Sequence, residues 1–316
     1  MLRIYKTNCE ALRELSLASL EKGAWLSLTA PDADELTAVA DLTGVPLDAL
    51  KAALDEEERS RVEIEDNYIL VITNVPTLRD SYSYDTLPLG IVLTKDHFIT
   101  VCLESHQVLE EFAAEGPRSF STYKKTRFLF QILYKSALLY LKYLKQINRR
   151  TDEIERDLRQ SVKNQEIFQL LELQKGLTYF TASLRSNGIV LERLLRLRSN
   201  KELQHLIALY EEDEDLLEDV IIENKQAIEM VEMYSHVLSG MMGAFTSIIS
   251  NNLNLVLKFL AAVTILLAIP TMVASFWGMN VDGLPFSGEN GFLAVVLIAV
   301  AAAVISAYGL WRRGLL

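Results

Sequence analysis

The sequence predicts an α+β membrane protein in three parts: an N-terminal cytosolic α/β domain (residues 1–120), a cytosolic helical region that runs into one long stalk helix (121–252), and two C-terminal transmembrane helices. Three observations predict it. Two charge-free runs, nineteen residues from Phe259 to Trp277 and twenty from Gly291 to Leu310, are each long enough as a helix to cross roughly 30 Å of hydrocarbon. From Tyr123 to the first run, apolar residues recur every three or four positions among Lys, Arg, Glu and Gln, the period of amphipathic helices. Before Tyr123 the pattern is shorter and mixed, with β-rich runs between brief helices.

In the front part, Trp25–Thr29, Val62–Val75, Gly90–Thr94 and His97–Leu103 read as strands, the last two joined by a Lys95-Asp96 turn. Asp32–Ala40 and Leu47–Leu54 read as helices, punctuated by Gly44 and Pro46. No phosphate loop, nucleophile elbow or paired acid and base can be assembled, so no enzyme is expected. The opening MLRIYKTNCE lacks the apolar run and cleavage site of a secretory signal, which places this part in the cytoplasm. There a disulfide between the two cysteines, Cys9 and Cys102, is not expected. A formal charge of −11 argues against nucleic acid as a partner. His97, His106, His205 and His236 are scattered without metal-ligand spacing.

In the helical region, Ser161–Asn164 reads as a turn and Ser199-Asn200 as the cap of a new helix. No proline follows until Pro270, so a single helix is expected from about residue 201 to 277, roughly 100 Å at 1.5 Å per residue. Its apolar stripe, which includes Leu203, Leu206, Ile207, Leu217, Val220 and Val231, needs cover from water, and copies of the chain are the simplest source.

The first span (253–277) carries the most informative pattern. Steps of three and four from Asn254 give Leu257, Ala261, Thr264, Ala268, Thr271 and Ser275, small or hydroxylated except at Leu257. Such a stripe is hidden from lipid, either against another helix or along a pore. Two spans cannot enclose a lumen, so a pore requires several copies related by rotation. Lys258 precedes the first span and Arg312 and Arg313 follow the second (291–311), while the loop 278–290 has neither residue type. Both termini and the basic tail (312–316) are therefore expected in the cytoplasm and the loop outside.

At the outer end of that span stands Phe276-Trp277-Gly278-Met279-Asn280. With one more span and a basic tail after it, this segment resembles the CorA family of Mg²⁺ channels, which carry Gly-Met-Asn after an aromatic residue at this address; here the aromatic is Trp277 rather than Tyr. The layout matches over the whole chain and the motif over about residues 250–290. The resemblance implies Mg²⁺ uptake across the cytoplasmic membrane by a symmetric homopentamer, with Co²⁺ or Ni²⁺ as further cargo and no organic cofactor. It makes Gly278, Met279 and Asn280 the selectivity filter. Asn254 becomes a polar ring at the inner mouth, Leu257, Leu260 and Ala268 constrictions, and Thr271 a hydroxyl level, with Ala261, Thr264 and Ser275 on the same lining. Mg²⁺ dehydrates reluctantly, so a ring of neutral Asn280 amide oxygens suits a hydrated ion that must also leave. Gly278 is expected to end the helix in a glycine-type cap.

Seven carboxylates occupy the nine positions from Glu211 to Asp219. They read as a solvated helix face or, by the resemblance, as part of a regulatory Mg²⁺ site between subunits, with Asp219 on the stalk and Asp80 on the α/β domain. In the outer loop Asp282 and Glu289 would either draw cations to the mouth or keep the loop soluble. Two rivals remain: a zinc transporter of the same superfamily, and a membrane-anchored sensor that conducts nothing.

Overall fold

The computed structural model describes residues 1–8, 11–80, 82–115, 120–160, 164–197, 203, 205–207, 210–279 and 291–314. The chain divides into two compact units, Met1–Met241 and Met242–Leu316.

The first unit is built on a seven-stranded sheet: β1 (Leu2–Thr7), β2 (Leu12–Leu15), β3 (Trp25–Thr29), β4 (Arg61–Ile64), β5 (Tyr68–Leu78), β6 (Tyr84–Thr94) and β7 (Phe98–Cys102). Their order is β2-β1-β3-β7-β6-β5-β4, antiparallel throughout except for the parallel pair β3 and β7. Alternation along each strand sorts the two faces. Leu26 and Leu28 of β3, Ile99 and Val101 of β7, Leu70 and Ile72 of β5 and Val92 of β6 form one core with Leu36 and Val39 of α1 (Ala33–Thr43) and Leu50 of α2 (Leu47–Lys51). Helix α1 starts at a capping box, in which Asp32 Oδ1 accepts from Glu35 N at 2.8 Å, and stops at Gly44, whose φ of 70° is one that residues with a side chain rarely adopt. Gly90 of β6 lets the layers close: a Cβ there would stand 2.7 Å from that of Ala53.

The other face meets α3 (Gln107–Glu115), α4 (Lys125–Gln160) and α5 (Asn164–Arg196). Trp25, on the opposite side of β3 from Leu26, packs against Phe120 and Phe128 with ring centres 5.9 and 5.1 Å away, and its indole N–H donates to Thr100 Oγ1 at 2.9 Å. Where β4 stops at Arg61, a side chain takes over its ladder. Asn187 of α5 accepts from Asn74 N at 2.9 Å and donates to Asn74 O at 2.8 Å, as a neighbouring strand would. The same amide oxygen accepts from Ser60 and Thr73 hydroxyls at 2.8 and 3.0 Å, and Tyr140 of α4 donates to Asn74 O at 2.9 Å. Pro76 and Pro88 sit in long strands without breaking them, because each falls past the end of the neighbour its missing N–H would have faced.

Several elements differ from the sequence reading. Strands β1 and β2 were not anticipated, and the run Val62–Val75 is a hairpin of two strands turning at Glu65–Tyr68 rather than one. The long helix expected from about residue 201 is α6, Glu211–Trp277, and it starts ten residues later. Tyr210 provides its entry, with Asp213 Oδ2 accepting from Tyr210 N at 3.4 Å, and four acidic residues fill the first turn, where the helix dipole favours negative charge. Leu203, Leu206 and Ile207, expected on its stripe, are buried in a turn that precedes it. Ser199 and Asn200, its expected cap, lie outside the described residues.

The second unit holds the C-terminal part of α6 and α7 (Gly291–Arg312), both long and apolar enough to cross a membrane.

Candidate functional site

Each span is partly covered along one side. Ala262, Leu266, Ile269 and Val273 of α6 are buried or half-buried, as are Ala294, Ala299, Ala302, Ala303 and Ala307 of α7, small residues that let helices approach closely. On the far side of α6, Asn254, Leu257, Ala261, Thr264, Ala268, Thr271 and Ser275 are all exposed, and Leu260 stands exposed at the edge of this stripe. Thr264, Leu267, Ala268, Thr271, Met272 and Ser275 line a shallow groove there. Met272 was missed by the sequence reading because it is neither small nor polar, although its helical position puts it beside Ala268 and Ser275. The alanine face of α7 was also missed, though its three- and four-residue spacing is legible.

The hydroxyls of the stripe point their hydrogens inward. Thr264 Oγ1 donates to Leu260 O at 2.8 Å, Thr271 Oγ1 to Leu267 O at 3.0 Å and Ser275 Oγ to Thr271 O at 2.8 Å. Each hydroxyl has one hydrogen and two lone pairs, so the oxygens that remain on this face can only accept. The apolar helix thus carries a column of acceptors without formal charge.

At the C-terminal end of α6, the helical pattern runs through Gly278, whose N–H donates to Ala274 O at 2.9 Å, and into Met279, whose N–H reaches Phe276 O at 3.4 Å. The glycine cap expected at Gly278 is not formed: its φ is not positive, and a Cβ would meet only Ala274 O at 3.4 Å and Ser275 O at 3.6 Å. Gly278 is thus not required by local backbone geometry. Asn280, Asp282 and Glu289 lie outside the described residues. Trp277 buries its indole N–H with no partner among the described residues.

In the first unit, Asp219 is exposed on α6 while its neighbours Leu217 and Val220 are buried. Asp80 is exposed in the turn between β5 and β6, where Ser83 N donates to its carbonyl at 3.2 Å. Asp80 shares a groove with Phe168 and Glu172 of α5, and Asp219 does not line it. Within one chain the two carboxylates are not brought together, and no group of three or more His, Cys, Asp or Glu among the described residues could hold a metal ion. The rest of the acidic run is partly structural, since Arg127 of α4 pairs with Glu212 at 2.7 Å and with the buried Asp213 at 3.6 Å.

A two-span membrane protein with an α/β front unit and an acceptor-lined first span is the class these features define. The sequence matches the family described as CorA-like Mg²⁺ transporter protein over residues 21–312, and the chain belongs to that family. Among its relatives, the cobalt/magnesium transport protein CorA of Methanocaldococcus jannaschii is 26% identical over 295 residues, covering 92% of this chain and 90% of the relative. The protein of that name from Thermotoga maritima is 21% identical over 287 residues, covering 89% and 80%. The complete structure of the M. jannaschii CorA magnesium transporter superposes with a TM-score of 0.84 at 24% identity, covering 100% of this chain and 99% of that one.

Proposed function

We propose that this chain assembles into a symmetric homopentamer in the cytoplasmic membrane and admits Mg²⁺, with Co²⁺ and Ni²⁺ as further cargo, along an axis lined by the exposed stripe of α6. The observation that carries the reading is the column of committed hydroxyls. A hydrated divalent cation presents only water hydrogens outward, because each water turns its oxygen to the metal. Oxygens that can accept and cannot donate complement that shell, and their lack of formal charge lets the ion leave. Leu257, Leu260 and Ala268 would form narrower apolar levels between the polar ones, and Asn254 a polar ring at the inner mouth. Gly278, Met279 and Asn280 would form the filter at the outer end, with Asp282 and Glu289 concentrating cations before it. The termini would lie in the cytoplasm.

In this reading Asp219 and Asp80, which do not share a groove within one chain, serve regulation. Mg²⁺ bridging these carboxylates between neighbouring subunits would hold a closed state, and its loss would free them to repel. The zinc reading gains nothing from the relatives, whose names specify cobalt and magnesium.

Purified protein in liposomes tests the proposal. Dye-reported Mg²⁺ influx should exceed Zn²⁺ influx and should not require a pH gradient, and internal Mg²⁺ should inhibit it. Absence of any flux returns the protein to a membrane-anchored sensor. In Asp219→Ala the inhibition by internal Mg²⁺ should weaken by about tenfold, the scale of one lost charged contact; unaltered inhibition removes Asp219 from the sensor.

A further inference from the structure

We propose that one internal water molecule ties α6 to the sheet at the junction of β5, α4, α5 and α6. A small cavity of about 10 Å³ lies there, about the room that the centre of one water requires. Five polar residues line it, Thr73, Ser136, Tyr140, Asn187 and Asn224, together with four aliphatic side chains.

The hydrogen-bond inventory of those five residues decides what fits. The Asn187 amide oxygen is spent on Asn74, Ser60 and Thr73, and its nitrogen gives one hydrogen to Asn74 O. Tyr140 gives its hydrogen to Asn74 O at 2.9 Å, and Thr73 gives its own to Asn187 Oδ1 at 3.0 Å. Asn224 donates from Nδ2 to Leu184 O at 3.2 Å, which leaves Oδ1 with no partner among the described residues. Ser136, only 3% exposed, has no hydrogen-bond partner among them.

The cavity wall therefore offers the Ser136 hydroxyl and the remaining amide hydrogens of Asn187 and Asn224 as donors, and free lone pairs on Asn224 Oδ1 and Thr73 Oγ1. A dry cavity would strand both Ser136 and Asn224, which buried polar groups seldom tolerate. A water accepts from Ser136 and donates its two hydrogens to Asn224 and Thr73, meeting all three demands. A cation would satisfy the acceptors but has no use for a donor, and no carboxylate lines the wall. The water thereby joins α6, through Asn224, to β5, through Thr73, and to α4, through Ser136. Neither the transport reading nor the oligomer enters this argument.

High-resolution cryo-electron microscopy of the full-length protein in nanodiscs is the direct test. A density peak is expected about 2.7–3.1 Å from Ser136 Oγ, Asn224 Oδ1 and Thr73 Oγ1. A map that shows other internal waters and none here overturns the proposal. So does a peak ringed by oxygens at about 2.3–2.6 Å, which would be a metal ion. Thermal unfolding of Ser136→Ala supplies a second readout with a sign. If water bonds Ser136, the variant melts about 1–3 °C lower. If the hydroxyl is stranded, its removal and the better helix propensity of Ala leave the melting temperature equal or higher, against the proposal.

Discussion

The two units differ in what their polar side chains bond. In the front unit polar groups are paired between elements: Asn187 of α5 completes the ladder of β5, Trp25 of β3 bonds Thr100 of β7, and Tyr140 of α4 reaches Asn74 O. Such bonds exist only when the elements are correctly assembled, so they specify one packing within a single chain. In the second unit the hydroxyls of Thr264, Thr271 and Ser275 bond carbonyls of their own helix. They fix no neighbour and leave their face open. The front unit is complete as one chain, whereas the first span displays a polar stripe that lipid does not cover well and that only further copies or water can face.

The sharpest way to break this contrast is to remove the amide of Asn280. Asn280→Ala should lower Mg²⁺ flux by tenfold or more, roughly the loss of one hydrogen-bonding contact per subunit at a shared site, while leaving the unfolding temperature of the front unit unchanged. Flux retained near the parent level would mean that the proposed path along the open stripe and past Asn280 does not conduct.

Next in size is a change confined to the complete unit. Asn187→Ala strands Asn74 N–H and takes the acceptor from Ser60 and Thr73, and it should cost about 3 kcal/mol in chemical denaturation. Its effect on flux per folded channel should be small. A cost below about 1 kcal/mol would mean that the network does not specify the packing.

How much of this was legible in the sequence differs between the units for a physical reason. Spans announce themselves by composition, and the polar stripe by a single periodicity, so both could be read from neighbouring residues alone. Trp25–Thr29 was legible because its alternation is local, and the helix read at Asp32–Ala40 because Gly44 and Pro46 mark its end nearby in sequence. Strands β1 and β2 were not, since LRIYKT and LREL carry little apolar alternation and owe their state to pairing, β1 with β3 and β2 with β1. Nor was the role of Asn187, which depends on a strand more than a hundred residues away. The start of α6 was misplaced because the apolar period continues through Leu203, Leu206 and Ile207, while the acidic first turn that sets the true start had been read as a charge run. Gly278 shows the reverse error: a residue type suited to a left-handed cap does not adopt one here.

A pH experiment sharpens the contrast from the front unit. His106 is 3% exposed and its Nε2 has no partner among the described residues, so burial pushes its pKa down to about 4. In the unfolded chain it protonates near 6.5, so between these values the unfolded state binds more protons. Stability is then full above pH 6.5 and falls as pH drops toward 4, by up to about 3 kcal/mol. His106→Gln should flatten that slope in denaturant titrations across the window, and an unaltered slope would assign it to other groups.

The smallest effect is the most discriminating. Thr271→Val keeps the shape of the side chain and removes its oxygen. Because that hydroxyl bonds only Leu267 O of its own helix, folding should change by no more than about 0.5 kcal/mol. If the face is a pore lining, each copy loses an acceptor for the hydrated ion, and Mg²⁺ flux should fall about threefold, well under 1 kcal/mol of barrier. Thr271→Ser, which restores the oxygen without the methyl, should recover it. If instead the stripe packs helix against helix, both variants should weaken the oligomer in detergent, Ser by loss of a methyl contact, with no relation between flux and the presence of oxygen. The pair therefore separates a surface that holds copies together from one that faces water and ions, which stripe periodicity alone leaves open.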